Sequence, residues 1–140
     1  MMGVLFLIVI LSFLYLIIQN IESKDHSNQM WEILVPASNK DQEFSYDHHK
    51  EWDLYVKSLA GGLTIMKTAK GEWLNAEGKL YIDRVIPVRI KCKKKHIKKI
   101  IEFTIKHYNQ EAVLAYKISD DVVLAHKTST GILFERKNKF

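Results

Sequence analysis

One cysteine, Cys92, stands in 140 residues, so an intramolecular disulfide is excluded. No Cys/His spacing resembles a zinc site, and no metal is expected. Also missing are a phosphate-binding glycine loop, a dinucleotide fingerprint, a nucleophile elbow and a paired-histidine zinc motif. No cofactor is expected on that ground, and internal repeats are absent. No Lys or Arg precedes the first apolar run, and no cysteine follows it, which excludes a lipoprotein anchor.

Net positive charge is confined to one segment. The net charge is +5, and six lysines (Lys91, Lys93, Lys94, Lys95, Lys98 and Lys99) fall within residues 91–99; without them the rest of the chain carries −1. An anionic membrane surface is one reading of such a run. Nucleic acid is not expected as a partner: no aromatic residues are interleaved for base stacking, and the lysines open a helix, where the dipole disfavours cations. A solvated turn is the reading adopted.

What the sequence does have is an uncharged apolar run, residues 1–18, broken only by Gly3 and Ser12. As a helix it would span about 27 Å, close to the hydrocarbon thickness of a bilayer. A cleavable signal has a shorter apolar region and a basic start. The expectation is therefore a single-pass transmembrane anchor over residues 1–20 that tethers the chain to a membrane through residues 1–18, with a cleaved signal and secretion as the alternative. The charges that follow, Glu22, Lys24 and Asp25, nearly cancel and give orientation little support; an extracytoplasmic domain is the default. Residues 21–30 read as a polar linker, 31–126 as the domain and 127–140 as a C-terminal tail.

Within the domain, residues 31–35 form a short apolar run closed by Pro36, which suits a strand. Ser45 is placed to N-cap a helix over residues 45–60, with Tyr46, His49, Trp52, Val56 and Leu59 on one face and Gly61-Gly62 ending it. Residues 63–66 read as a short strand, and Lys70-Gly71 and Glu77-Gly78 as two turns. Residues 79–92 alternate clearly: Leu80, Ile82, Ile86, Val88, Ile90 and Cys92 share one parity, and Asp83, Arg89 and Lys91 the other. Pro87 implies an edge, a bulge or a break near it. A second helix follows over residues 96–109, then a strand over 112–118, with 122–125 as its hairpin partner. The order strand–helix–strand–strand–helix–strand is that of an α+β ferredoxin-like β-α-β-β-α-β sandwich, an antiparallel sheet with two helices on one face. Its second face, with Tyr81, Val85 and Tyr116, would serve a homodimer.

Four features could carry chemistry. Arg84 sits at an apolar parity beside Asp83, where an unpaired charge is costly, so it would hold an anionic ligand or pair internally. His49 and Asp53, four apart near Asp47, His48 and Glu51, could form a general base with an orienting carboxylate; a capped polar turn is the plainer reading. The lysine run is the third. The aromatic set Trp52, Trp73, Tyr81 and Tyr108 could wall a cleft or fill the core. His107 and His126 stand isolated. Arg84, Trp52, Trp73 and Asp83 are the candidate ligand-binding residues for a small molecule, and His49 the proton carrier if the domain is an enzyme.

Residues 61–90 carry Gly62-Leu63-Thr64, Gly71-Glu72-Trp73, Gly78 and Asp83. In this pattern the segment resembles a group of uncharacterised exported bacterial proteins, a domain of unknown function, with Asp83 where that group has glutamate. The resemblance implies a ferredoxin-like fold and export, and no activity. Two functions are expected on these grounds: a membrane-tethered binding or protein-interaction domain, dimeric through its open sheet face, or a small cofactor-independent enzyme of the dimeric α+β barrel type.

Overall fold

The computed structural model describes residues 2–26, 28–39 and 42–135, and the side chains of 6–18, 28–39 and 42–134. The elements run α1 (Met2–His26), β1 (Gln29–Pro36), β2 (Ser38–Asn39), β3 (Gln42–Glu43), α2 (Tyr46–Ala60), β4 (Thr64–Ile65), β5 (Ala69–Leu74), β6 (Leu80–Cys92), α3 (Lys94–His107), β7 (Ala115–Ser119), β8 (Leu124–Thr128) and β9 (Gly131–Glu135).

Helix α1 takes in most of the segment expected to be a linker. No glycine or proline lies between Gly3 and Pro36, so nothing in the covalent chain stops the helix at the end of the apolar run. The described side chains of α1, residues 6–18, are exposed. Among the described residues no helix is long and apolar enough to cross a membrane.

The main sheet is antiparallel. Strand β1 lies between β6 and β7, and β4 and β5 both pair with β6 along its other edge. In register, Ile33 faces Val88 and Val35 faces Ile86. On the far side Ile65 faces Val88 and Ala69 faces Val85, so the three residues between β4 and β5 span two of β6. That irregularity explains how Pro87 sits in a central strand. The Pro87 carbonyl accepts from Met66 N–H at 2.9 Å, on the β4 side. A strand residue points its N–H and C=O at the same neighbour, so the missing donor faces the break between β4 and β5. Lys70-Gly71, expected as a turn, lies inside β5; the turn falls at residues 75–79, where Gly78 has φ +77° and Asn75 accepts from Glu77 and Lys79 N–H.

One face of this sheet is the core. Ile33 and Val35 of β1, Val88, Ile90 and Cys92 of β6, Trp52 and Val56 of α2, and Ile97 and Ile100 of α3 pack into one cluster. Helix α2 begins where the sequence implies: the Ser45 hydroxyl accepts from His48 N–H at 3.2 Å, and Gly61 ends the helix in the left-handed region at φ +79°. Helix α3 starts two residues earlier than expected, at Lys94, and its N-cap residue Lys93 makes no side-chain cap bond.

At the C-terminal end the expected hairpin is displaced. Strand β8 pairs with β9 and not with β7, which makes a separate two-stranded sheet across the expected start of the tail. The reason lies at residues 119–121, where Ser119 Oγ accepts from Asp121 N–H and donates to Asp121 C=O in a local turn. The chain leaves the β7 edge there and does not fold back along it.

Candidate functional site

The register of β1, β6 and β7 puts a second set of residues on the face away from the core. Glu32 lies opposite Arg89 on one side and Tyr116 on the other. Its carboxylate is nearly buried and is held from both sides: Arg89 Nε donates to Oε2 at 2.9 Å, and the Tyr116 hydroxyl donates to Oε1. The Tyr116 bond, then the Arg89 bond, hold the Glu32 carboxyl below its usual range. The same bond pushes the Tyr116 phenol up. Arg89 is thus fixed through one nitrogen while its side chain stays half exposed.

Further along β6 the same parity carries Tyr81 and Asp83 into the β5–β6 arm. Trp73 pairs with Tyr81 across the arm, and their rings stack at 4.5 Å between centroids and 13° between planes. The Trp73 indole N–H donates to Asp83 Oδ2 at 2.7 Å, and Lys79 Nζ lies 5.4 Å from the Tyr81 centroid. Gly71 faces Asp83, and a Cβ there would meet the Asp83 carbonyl at 3.7 Å, an ordinary contact. Trp73 remains 49% exposed, so a rigidly held indole presents one ring face outward. An oriented aromatic face of this kind suits a planar or cationic ligand.

The other expected site residues go elsewhere. Arg84 shares the core parity but lies beyond the helix layer, so it is exposed and pairs with Glu43, also exposed. The expected buried charge is absent because the sheet outruns its helices. Glu43 also borders a cleft of about 340 Å³ lined by Asn39, Gln42, Phe44, Ser45 and His48. Trp52 is a core residue, 1% exposed, whose indole N–H donates to Thr104 Oγ1 at 2.8 Å. The Thr104 hydroxyl in turn donates to the Ile100 carbonyl at 2.6 Å.

His49 is half-buried and its Nδ1 meets the Tyr108 hydroxyl at 2.7 Å. Burial pulls its pKa down, against the opposing pull of Asp53, with His48 and His107 adding to the fall. Burial also raises Asp53 and Tyr108. His107 is not isolated: its ring stacks on that of His48 at 3.9 Å, at the seam between the start of α2 and the end of α3. No group of histidine, cysteine or acidic residues among those described could hold a metal.

Sequence reasoning passed over Glu32 and Arg89 as partners. A signal was present: Glu32 is the one charge in its strand, flanked at i ± 2 by Met30 and Leu34, on a face where β6 offers Arg89 and Lys91 as cations.

No protein-family profile matches the chain, and no curated protein is similar to it. Solved structures are similar in fold. A phage SAM lyase in complex with S-methyl-5'-thioadenosine matches with a TM-score of 0.50 at 11% identity, over 66% of this chain and 90% of that one. CutA from Synechococcus elongatus matches with a TM-score of 0.45 at 8% identity, over 67% and 79%.

Proposed function

We propose that this chain is a membrane-tethered, homodimeric binding domain of ferredoxin-like architecture that takes a planar small molecule on the exposed face of Trp73. The carrying observation is the fixed indole, stacked on Tyr81 and hydrogen-bonded to Asp83 yet half exposed. The architecture is supported by the strand order β4/β5–β6–β1–β7, antiparallel throughout, with α2 and α3 contributing to one core. The tether is supported by the exposed apolar residues of α1; an extracytoplasmic domain is part of the proposal. Dimerisation is supported by the face that holds Tyr81, Val85 and Tyr116.

A purine nucleoside is the ligand class to test, because it is planar and polar at its edges. The phage SAM lyase of similar fold was solved with such a molecule. Calorimetric titration of the full chain in detergent micelles with S-methyl-5'-thioadenosine and adenosine should give binding that Trp73→Ala abolishes with the circular dichroism unchanged. No heat at millimolar ligand, or equal affinity in the variant, would sink the reading. Flotation of the full chain with liposomes through a sucrose gradient tests the tether separately.

The second reading is a small cofactor-independent enzyme. It is favoured by Glu32, a carboxylate kept ionised by Arg89 and Tyr116 on the same face. Turnover of the bound nucleoside, lost in Glu32→Gln with binding retained, would select it.

A further inference from the structure

Four lysines of the segment expected to be a solvated turn, Lys94, Lys95, Lys98 and Lys99, stand on the first two turns of α3. Spaced i, i+1, i+4 and i+5, they fall on one side of the helix, opposite the buried Ile97, Ile100 and Thr104. All four are exposed, and the face runs on through Glu102, its one carboxylate, to Lys106. Among the described residues no ion pair or side-chain hydrogen bond holds any of these groups. The first turn of α3 contains no acid, so the positive end of the helix dipole adds to the lysines. Burial, then Lys95, Lys93 and Lys99, pull the pKa of the His96 imidazole down. A cationic patch without internal compensation attracts anions.

The fold selects the kind of anion. In register Gln29 lies opposite Cys92, two residues before α3 begins. His26, which ends α1, precedes Gln29 by three residues, a reach of about 10 Å. Helices α1 and α3 also approach within 8 Å between Cα atoms. The lysine face is therefore beside α1, although far from it in sequence. Over residues 6–18 α1 carries exposed, uncharged, mostly apolar side chains. Lysines clustered at the exit of a membrane-seated helix meet the headgroups, and such clusters bind anionic lipid. Nucleic acid fits less well, because none of the exposed side chains of α3 is aromatic.

We infer, on the tether proposed above, that the Lys94, Lys95, Lys98 and Lys99 face of α3 rests on an anionic lipid surface beside the membrane-seated α1. The bilayer is the occupant because α1 and the lysines present apolar and cationic surface side by side, matching acyl chains and acidic headgroups. Held at two points, the domain lies against the membrane and does not swing from its tether.

The test uses the full wild-type chain, so no variant has to fold. It is mixed with liposomes of phosphatidylcholine alone or with about 30% phosphatidylglycerol, floated, and treated with an uncharged acetylating reagent. Mass spectrometry then reads the acetylation of each lysine. On the acidic liposomes Lys94, Lys95, Lys98 and Lys99 should be acetylated about fivefold less than on neutral ones, the factor that one surface-held lysine contributes. Salt at about 0.5 M, where the Debye length is about 4 Å, should restore their labelling. Flotation with equal labelling of the four lysines on both liposomes would keep the tether and overturn the lysine face. An equal fall at Lys50, Lys70 and Lys127 would overturn it too, as general adsorption. Flotation with acidic liposomes only, with the four lysines protected, would sink the tether and keep the lysine face. Protection by added RNA, with none from phosphatidylglycerol, would assign the face to nucleic acid and overturn the inference.

Discussion

His48 and His107 hold each other by exchange: Nε2 of each ring donates to the other's backbone carbonyl, at 3.0 and 2.7 Å, while the rings stack at 3.9 Å. The pair fastens the first turn of α2 to the last turn of α3, with Phe44 stacked against His48 and Phe103 against His107. Both rings can donate while neutral.

The α2–α3 seam is expected to be acid-sensitive through His49. His49, next to this pair, has its folded pKa pulled below its ordinary 6.5 by burial. A histidine depressed in the folded state contributes stability that is whole above about pH 6.5 and falls as pH drops from there toward the folded value. The melting temperature should hold steady from pH 8 to 7 and decline from 6.5 to 5. His49→Gln, which can still meet Tyr108, should flatten that decline. An unchanged slope in the variant would assign the loss to other groups.

Trp52 and Thr104 are joined by a side-chain hydrogen bond inside the core. Thr104→Val leaves the buried indole N–H without its acceptor and should cost about 1–3 kcal/mol. Trp52→Ala should cost about 3–5 kcal/mol through the cavity it opens. Denaturant midpoints at constant m-value measure both.

Glu32 and Arg84 should behave differently despite the ion pair each makes. Arg89→Met strips a nearly buried carboxylate of one of its two donors. The effect should lie near 1–2 kcal/mol, below the full value for a buried pair because Arg89 is half exposed. Arg84→Met breaks a pair exposed on both sides and should change stability by less than about 1 kcal/mol. The Glu32 contribution is present above its ordinary pKa and is lost as pH falls through the lowered folded value, so Glu32→Gln should remove that acid limb.

Cys92 should be a silent thiol in the folded chain. It is buried, and burial raises its pKa to about 11. At pH 8 about one part in a thousand would be thiolate even if it were reachable. Reaction with a disulfide reagent should track global unfolding, and fast labelling under native conditions would contradict the packing of β6 against α3.

The alternation over residues 79–92, the capped helix that begins at Ser45 and the break signalled by Pro87 were legible because each depends on neighbours within a few residues. The site was legible only in part. Trp73 and Asp83 could be singled out as types, but their hydrogen bond depends on the pairing of β5 with β6, and Lys70-Gly71 had suggested a turn there. Arg84 looked like a buried charge because parity says which face a residue takes and not how far the helix layer reaches along it. His107 looked isolated because its partner is 59 residues away.

What the sequence by itself determined was the two helices of the domain, the alternation of its longest strand, and a helix-forming apolar N-terminus, all of them consequences of local sterics and hydrophobic period. Only the tertiary structure decided which strands meet, that Glu32 is clasped by Arg89 and Tyr116, and that the C-terminal hairpin stands apart. Those outcomes depend on register and on where one layer ends over another, and both are set by packing between segments far apart in the chain.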